Sequence, residues 1–161
     1  MSDEALAVVT QARDLGVTFA IAESLTGGAV SSDVVSIPGA SAVFRGGIVA
    51  YDPMAKHDLL EVDAALLAST GSVSGEVATQ MAEGVARRLR ADFGVATTGV
   101  AGPDPDPVSG AKPGTVFIAV SGTSLGTLVR ELSLDGDRAD IRSRATRAAL
   151  QALGDALSMR D

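Results

Sequence analysis

The sequence contains no cysteine and no tryptophan, one histidine, one tyrosine and four phenylalanines in 161 residues. Without cysteine there can be neither a disulfide framework nor a thiolate metal site. With a single histidine and no convincing cluster of carboxylates, no metal is expected. The core must be aliphatic, because aromatics are 3% of the chain although apolar residues are 46%. No run approaches the roughly 20 apolar residues that span a bilayer. The start, Met1-Ser2-Asp3-Glu4, is acidic where a signal peptide needs a basic segment and an apolar run. These features fit a cytoplasmic protein without a membrane partner. Positive charge is also scarce: the net charge is −7, against bulk binding to nucleic acid. A small anionic ligand stays possible, since a few N–H groups and one cation can hold a phosphate.

The length suits one domain over residues 1–161. Periodicity alternates between helix and strand. Helices are expected over Asp3–Leu15, with Leu6, Val9 and Arg13 along one side and Gly16 as the stop, and over 27–37, 64–69 and 137–159. Asp52-Pro53 opens another, as an N-cap acceptor followed by proline. Ser74 caps a longer one, in which Val77, Met81, Val85 and Leu89 recur every fourth residue. Strands are expected over 17–22, 42–51, 93–98, 115–121 and 128–134, with a bulge or close approach at Gly46-Gly47. This alternation with one late hairpin reads as an α/β layered domain with a mixed sheet.

Four segments could carry chemistry. In Ala22-Glu23-Ser24-Leu25-Thr26-Gly27-Gly28 a strand turns into a helix and exposes free N–H groups beside Ser24. Read locally, Ser24 or Thr26 is more commonly just a helix cap. In Tyr51-Asp52-Pro53-Met54-Ala55-Lys56 a lysine stands in the first turn of a helix, which prefers anions. That misplacement favours a neutral lysine able to act as a base, although a lone lysine usually points into water. Thr97-Thr98-Gly99-Val100-Ala101-Gly102-Pro103 follows a buried strand, where open α/β sheets bind ligands, and reads equally as a plain glycine-rich turn. Asp135-Gly136-Asp137-Arg138 starts the last helix, with Arg138 either an anion clamp or a surface residue. His57 beside Asp58 makes a poor relay with any serine.

Together with Phe44-Arg45-Gly46-Gly47-Ile48-Val49-Ala50-Tyr51 and Gly71-Ser72-Val73-Ser74, these segments resemble, in order and spacing over nearly the whole chain, the CinA carboxy-terminal domain family. Its stand-alone members include nicotinamide mononucleotide deamidases. The resemblance implies a three-layer α/β/α sandwich with a mixed, mostly parallel sheet, commonly in a homo-oligomer, and the Met1 start fits the short form. It further implies hydrolysis of the carboxamide of nicotinamide mononucleotide to nicotinic acid mononucleotide and ammonia, with no cofactor. Ser24 matches the family nucleophile, Lys56 its base, and Tyr51 a hydroxyl that positions or relays the proton. Ser41 and Arg138 match substrate-pocket positions. Thr26, Gly27, Gly28, Thr98, Gly99, Ala101 and Gly102 fall in the loops expected to hold substrate or oxyanion. The rival reading is a non-catalytic nucleotide-binding or protein-interaction module, which would need no special surroundings for Lys56. A third is an amidase for another small amide. The sequence departs from the family pattern at Leu25 (often Cys), at Lys112-Pro113-Gly114 (one residue short) and at Asp104-Pro105-Asp106-Pro107. That last segment replaces a Gly-Gly pair and adds negative charge beside the site.

Overall fold

The computed structural model describes residues 1–160. Six helices, α1 (Asp3–Leu15), α2 (Ala29–Val35), α3 (Pro53–Leu60), α4 (Ala64–Thr70), α5 (Gly75–Leu89) and α6 (Arg138–Ser158), alternate with five strands. The strands are β1 (Phe19–Glu23), β2 (Phe44–Val49), β3 (Phe93–Gly99), β4 (Thr115–Gly122) and β5 (Gly126–Ser133), in the sheet order β2-β1-β3-β4-β5. β1 pairs in parallel with β2 and β3, while the β3–β4 and β4–β5 pairs are antiparallel. Four strands therefore run one way and β4 alone is reversed, giving the mixed sheet that the periodicity implied.

Strand alternation sorts the two faces by size. Phe19, Ile21, Phe93, Val95, Val116, Ile118 and Val120 point to the layer of α1, α2 and α6. Ala20, Ala22, Ala96 and Ala119 point to the side of α5. A face of alanine and glycine lets a helix approach closely: a Cβ on Gly94 would lie 1.9 Å from the Ala82 carbonyl oxygen of α5. Burial of Val77, Ala78, Met81, Ala82 and Val85 seals this side.

Local signals set most boundaries. Gly16 caps α1 in the left-handed conformation, and Asp52 and Ser74 cap α3 and α5 through their side chains. Two expectations shift. The first strand starts at Phe19, because the Val17 N–H is still bonded to the Ala12 carbonyl in closing α1. On α1 the buried residues are Ala5, Val8, Val9 and Ala12, whereas Leu6 is 47% exposed and Arg13 exposed, so the packed stripe keeps Val9 of the expected line but lies to one side of Leu6 and Arg13. The expected irregularity at Gly46 is present: Phe19 pairs with Phe44 and Ala20 with Gly46, leaving Arg45 as the extra residue.

β1 lies between β2 and β3, so the chain leaves it in opposite directions and a crevice opens at the carboxyl ends of these strands. There Ser24 follows β1, and the segment to α3 follows β2.

Candidate active site

Ser24 begins the turn between β1 and α2. Its N–H donates to the Thr97 carbonyl at 3.1 Å, so the turn is tied to the end of β3. Lys56, the fourth residue of α3, is fully buried, and its Nζ lies 3.0 Å from Ser24 Oγ. The same Nζ donates to the Ala50 carbonyl at 2.8 Å and the Tyr51 carbonyl at 3.2 Å. Among the described residues no carboxylate pairs with it directly. Burial lowers its pKa from 10.5 to about 8, with the Asp52 charge opposing part of that effect. In the neutral form two N–H bonds serve the carbonyls and the lone pair faces the serine hydroxyl. That is the arrangement a general base requires.

A cleft of about 320 Å³ opens onto the pair, and Ser24, Tyr51, Lys56, Thr98, Gly99, Ala101 and Arg138 all line it. Arg138 donates to the Gly102 carbonyl at 2.7 Å and to the Tyr51 hydroxyl at 3.2 Å, which holds its guanidinium at the site. Tyr51 is 62% exposed, and its contact with Lys56 is through the backbone carbonyl. Ser24 Oγ and Lys56 Nζ therefore meet without an intervening group, and the hydroxyl of Tyr51 is bonded to Arg138. A larger hollow of about 520 Å³, among Met1, Glu4, Asp33, Arg142 and Arg147, contains neither the serine nor the lysine.

Thr26, Gly27 and Gly28 do not line the cleft. The Thr26 hydroxyl is buried and donates to Glu23 at 2.7 Å, the Gly27 N–H closes a turn on the Ser24 carbonyl, and the Gly28 N–H donates to Glu23. The expected anion site at the start of α2 is already filled by the protein's own carboxylate. Glu23 Oε1 accepts from Thr26 Oγ1, Gly28 N and Val30 N, and Oε2 accepts from Ser31 N and Ser31 Oγ. Ser41 also falls elsewhere, exposed in a short 3₁₀ helix (Ala40–Ala42) beside a separate hollow with Val35, Phe44 and Arg45. His57 turns its Nδ1 to the Val62 carbonyl at 2.8 Å, away from Ser24.

Four contributors escaped the reading of the sequence. Glu23 had a visible signal, a carboxylate at the end of a wholly apolar strand just before a helix start. Thr97 hydrogen-bonds the Thr26 hydroxyl at 2.9 Å across the β1–β3 pair. Arg142 donates to the Leu25 and Thr26 carbonyls at 2.9 and 3.1 Å, fixing the turn from α6. Asp106, seen only as added charge, lines the cleft.

A layered α/β domain with a buried serine–lysine pair at the switch point of its sheet is the class of protein these features define. The profile of the CinA C-terminal domain matches residues 2–157. A CinA-like protein from Frankia casuarinae is 49% identical over 83% of this chain and 30% of its own length. A putative competence-damage inducible protein from Desulforamulus reducens is 45% identical over 86% and 33%. The chain spans about a third of the length of these curated relatives. Among solved structures, the competence/damage inducible protein CihA from Agrobacterium tumefaciens superposes with a TM-score of 0.90 at 37% identity, over 97% of this chain and 94% of that one. The competence damage-inducible protein A from Klebsiella pneumoniae superposes at 0.94 with 28% identity, over 99% and 98%. The chain belongs to the CinA C-terminal domain family.

Proposed function

We propose that this chain hydrolyses the carboxamide of nicotinamide mononucleotide, giving nicotinic acid mononucleotide and ammonia in the recycling of pyridine nucleotides in the cytoplasm. The observation that carries the reading is the 3.0 Å approach of a fully buried Lys56 Nζ to Ser24 Oγ. A binding module would have no need to bury a lysine without a counter-ion against a hydroxyl.

In the reaction Lys56 takes the Ser24 proton while Oγ attacks the carboxamide carbon. The tetrahedral oxyanion is met by the N–H group of Leu25, a cleft-lining residue whose N–H has no hydrogen-bond partner among the described residues. Lys56 returns the proton to the leaving nitrogen, the C–N bond breaks and ammonia departs. Water, deprotonated by Lys56, then attacks the acyl ester, and its collapse gives the acid and restores Ser24. Arg138, oriented by Gly102 and Tyr51, is the cation for the phosphate. By resemblance the assembly is a homo-oligomer, which sedimentation of the purified chain tests.

The deciding experiment is ammonia release from nicotinamide mononucleotide by wild type, Ser24→Ala and Lys56→Ala. Turnover in the wild type and losses of roughly three orders of magnitude or more in each variant are expected. Undiminished turnover by Ser24→Ala removes the nucleophile assignment. A wild type that binds the nucleotide without releasing ammonia returns the chain to the binding-module reading.

A further inference from the structure

Asp104-Pro105-Asp106-Pro107 brings negative charge to the β3–β4 loop, and the structure divides that charge. Asp104 is exposed and outside the cleft, whereas Asp106 lines it with Pro107 and Val108. Asp106 is held firmly: its Oδ2 accepts from the Val108 N–H at 3.2 Å and from the Ser109 N–H and hydroxyl at 2.7 Å each. Its own N–H donates to the Ala111 carbonyl at 2.9 Å. The loop rests on Gly71, where an added Cβ would lie 3.0 Å from Val108 Cβ and 3.1 Å from Asp106 Oδ2. Oδ1 has no partner among the described residues. Partial burial acts to raise the Asp106 pKa, but the hydrogen bonds from Ser109 and Val108 outweigh it and hold the pKa below its ordinary value. The carboxylate is therefore the form favoured at neutral pH.

The cleft then offers a carboxylate from Asp106, a guanidinium from Arg138 and, next to Ser24, a lysine that is neutral when it acts as base. On the reading of the previous subsection, the carboxamide carbon sits at Ser24 Oγ and carries its ring directly. We propose that Asp106 is a specificity determinant that selects amides borne on a cationic ring, by facing that ring's charge across the cleft. The inference rests on the amidohydrolase reading for the position of the amide. A carboxylate and a unit cation separated by the width of so small a cleft interact enough to change an affinity roughly tenfold. Zwitterionic ligands, with a positive ring and a negative phosphate, match the Asp106 and Arg138 charges together. Ligands with a neutral ring match only one.

The test compares nicotinamide mononucleotide with its reduced form, which keeps the carboxamide, ribose and phosphate but has a neutral dihydropyridine ring. Asp106→Asn preserves an acceptor for Ser109 and Val108 while removing the charge, and Asp104→Asn removes a charge from the same loop outside the cleft. In Asp106→Asn the ratio of kcat/KM for the oxidised over the reduced substrate is expected to fall roughly tenfold, through the oxidised substrate alone. Asp104→Asn is expected to leave the ratio as in wild type. An unchanged ratio in Asp106→Asn, or an equal fall in Asp104→Asn, overturns the proposal while turnover itself upholds the hydrolase. If wild type turns over neither compound, the hydrolase reading falls and calorimetric Kd values for the same pair decide: a tenfold loss of preference confined to Asp106→Asn supports charge selection, and an unchanged preference overturns it.

Discussion

Lys56 is where burial and charge compete. A lysine with no carboxylate partner inside a protein gives up its proton more readily, and here its pKa falls to about 8. The base is competent only when neutral. Turnover by the wild type is therefore expected to rise with pH through an apparent pKa near 8 and then level, as measured in a pH profile of kcat/KM. The same shift bears on stability. Between pH 8 and 10.5 the unfolded chain holds this proton and the folded chain does not, so folding gains as pH rises through that window. Relative to Lys56→Met, wild type should gain up to about 3 kcal/mol over that range, read by urea unfolding at each pH. A constant difference between the two proteins would mean that Lys56 titrates normally.

At the scale of elements, two close approaches build the site. The first is the seating of α2 on Glu23, whose carboxylate takes the N–H groups of Gly28, Val30 and Ser31 and the hydroxyls of Thr26 and Ser31. Gly47 on β2 makes room for it, since a Cβ there would lie 2.1 Å from Ser31 Oγ. Glu23→Gln places an amide NH₂ where only acceptors fit. The variant is expected to lose about 2 kcal/mol or more in chemical denaturation and to lower kcat through the displaced Ser24 turn. The second is α5 against β3. Ala at position 94 would collide with the Ala82 backbone, so Gly94→Ala should cost at least about 2 kcal/mol by the same measurement. A silent Gly94→Ala would show that α5 does not pack this closely on β3.

The whole molecule has an acidic balance, a net charge of −7, with Arg138 and Lys56 as the cations that line the cleft. No helix among the described residues is long and apolar enough to cross a membrane. Relatives carry names that refer to competence and damage. For this chain, direct contact with the DNA backbone is disfavoured by its charge. No mobility shift of duplex DNA is expected even at about 50 mM salt, where electrostatic binding is strongest. Retarded DNA at that salt would reveal a basic surface that the charge distribution does not predict.

Much of the scaffold was legible without coordinates, because it depends on neighbours close in the chain. Gly16, Asp52-Pro53, Ser74 and Asp137 each act on groups within about four residues, and the alternation of β4 and β5 marks their hairpin. The resemblance likewise picked out Ser24, Tyr51, Lys56 and Arg138, all of which meet at one cleft. It also grouped Ser41 and the Thr26-Gly27-Gly28 turn with them, and these residues do not line that cleft. Such assignments turn on contacts distant in sequence. Ser24 meets Lys56 across 32 residues, Thr26 meets Thr97 across 71, and Leu25 meets Arg142 across 117. Whether an N–H at a helix start is free for a ligand depends on whether another side chain has reached it first, and whether a lysine is neutral depends on what covers it. Those are outcomes of strand order and layer packing. Local periodicity carries the shape of each element, and the folded arrangement settles which polar groups are left over to do chemistry.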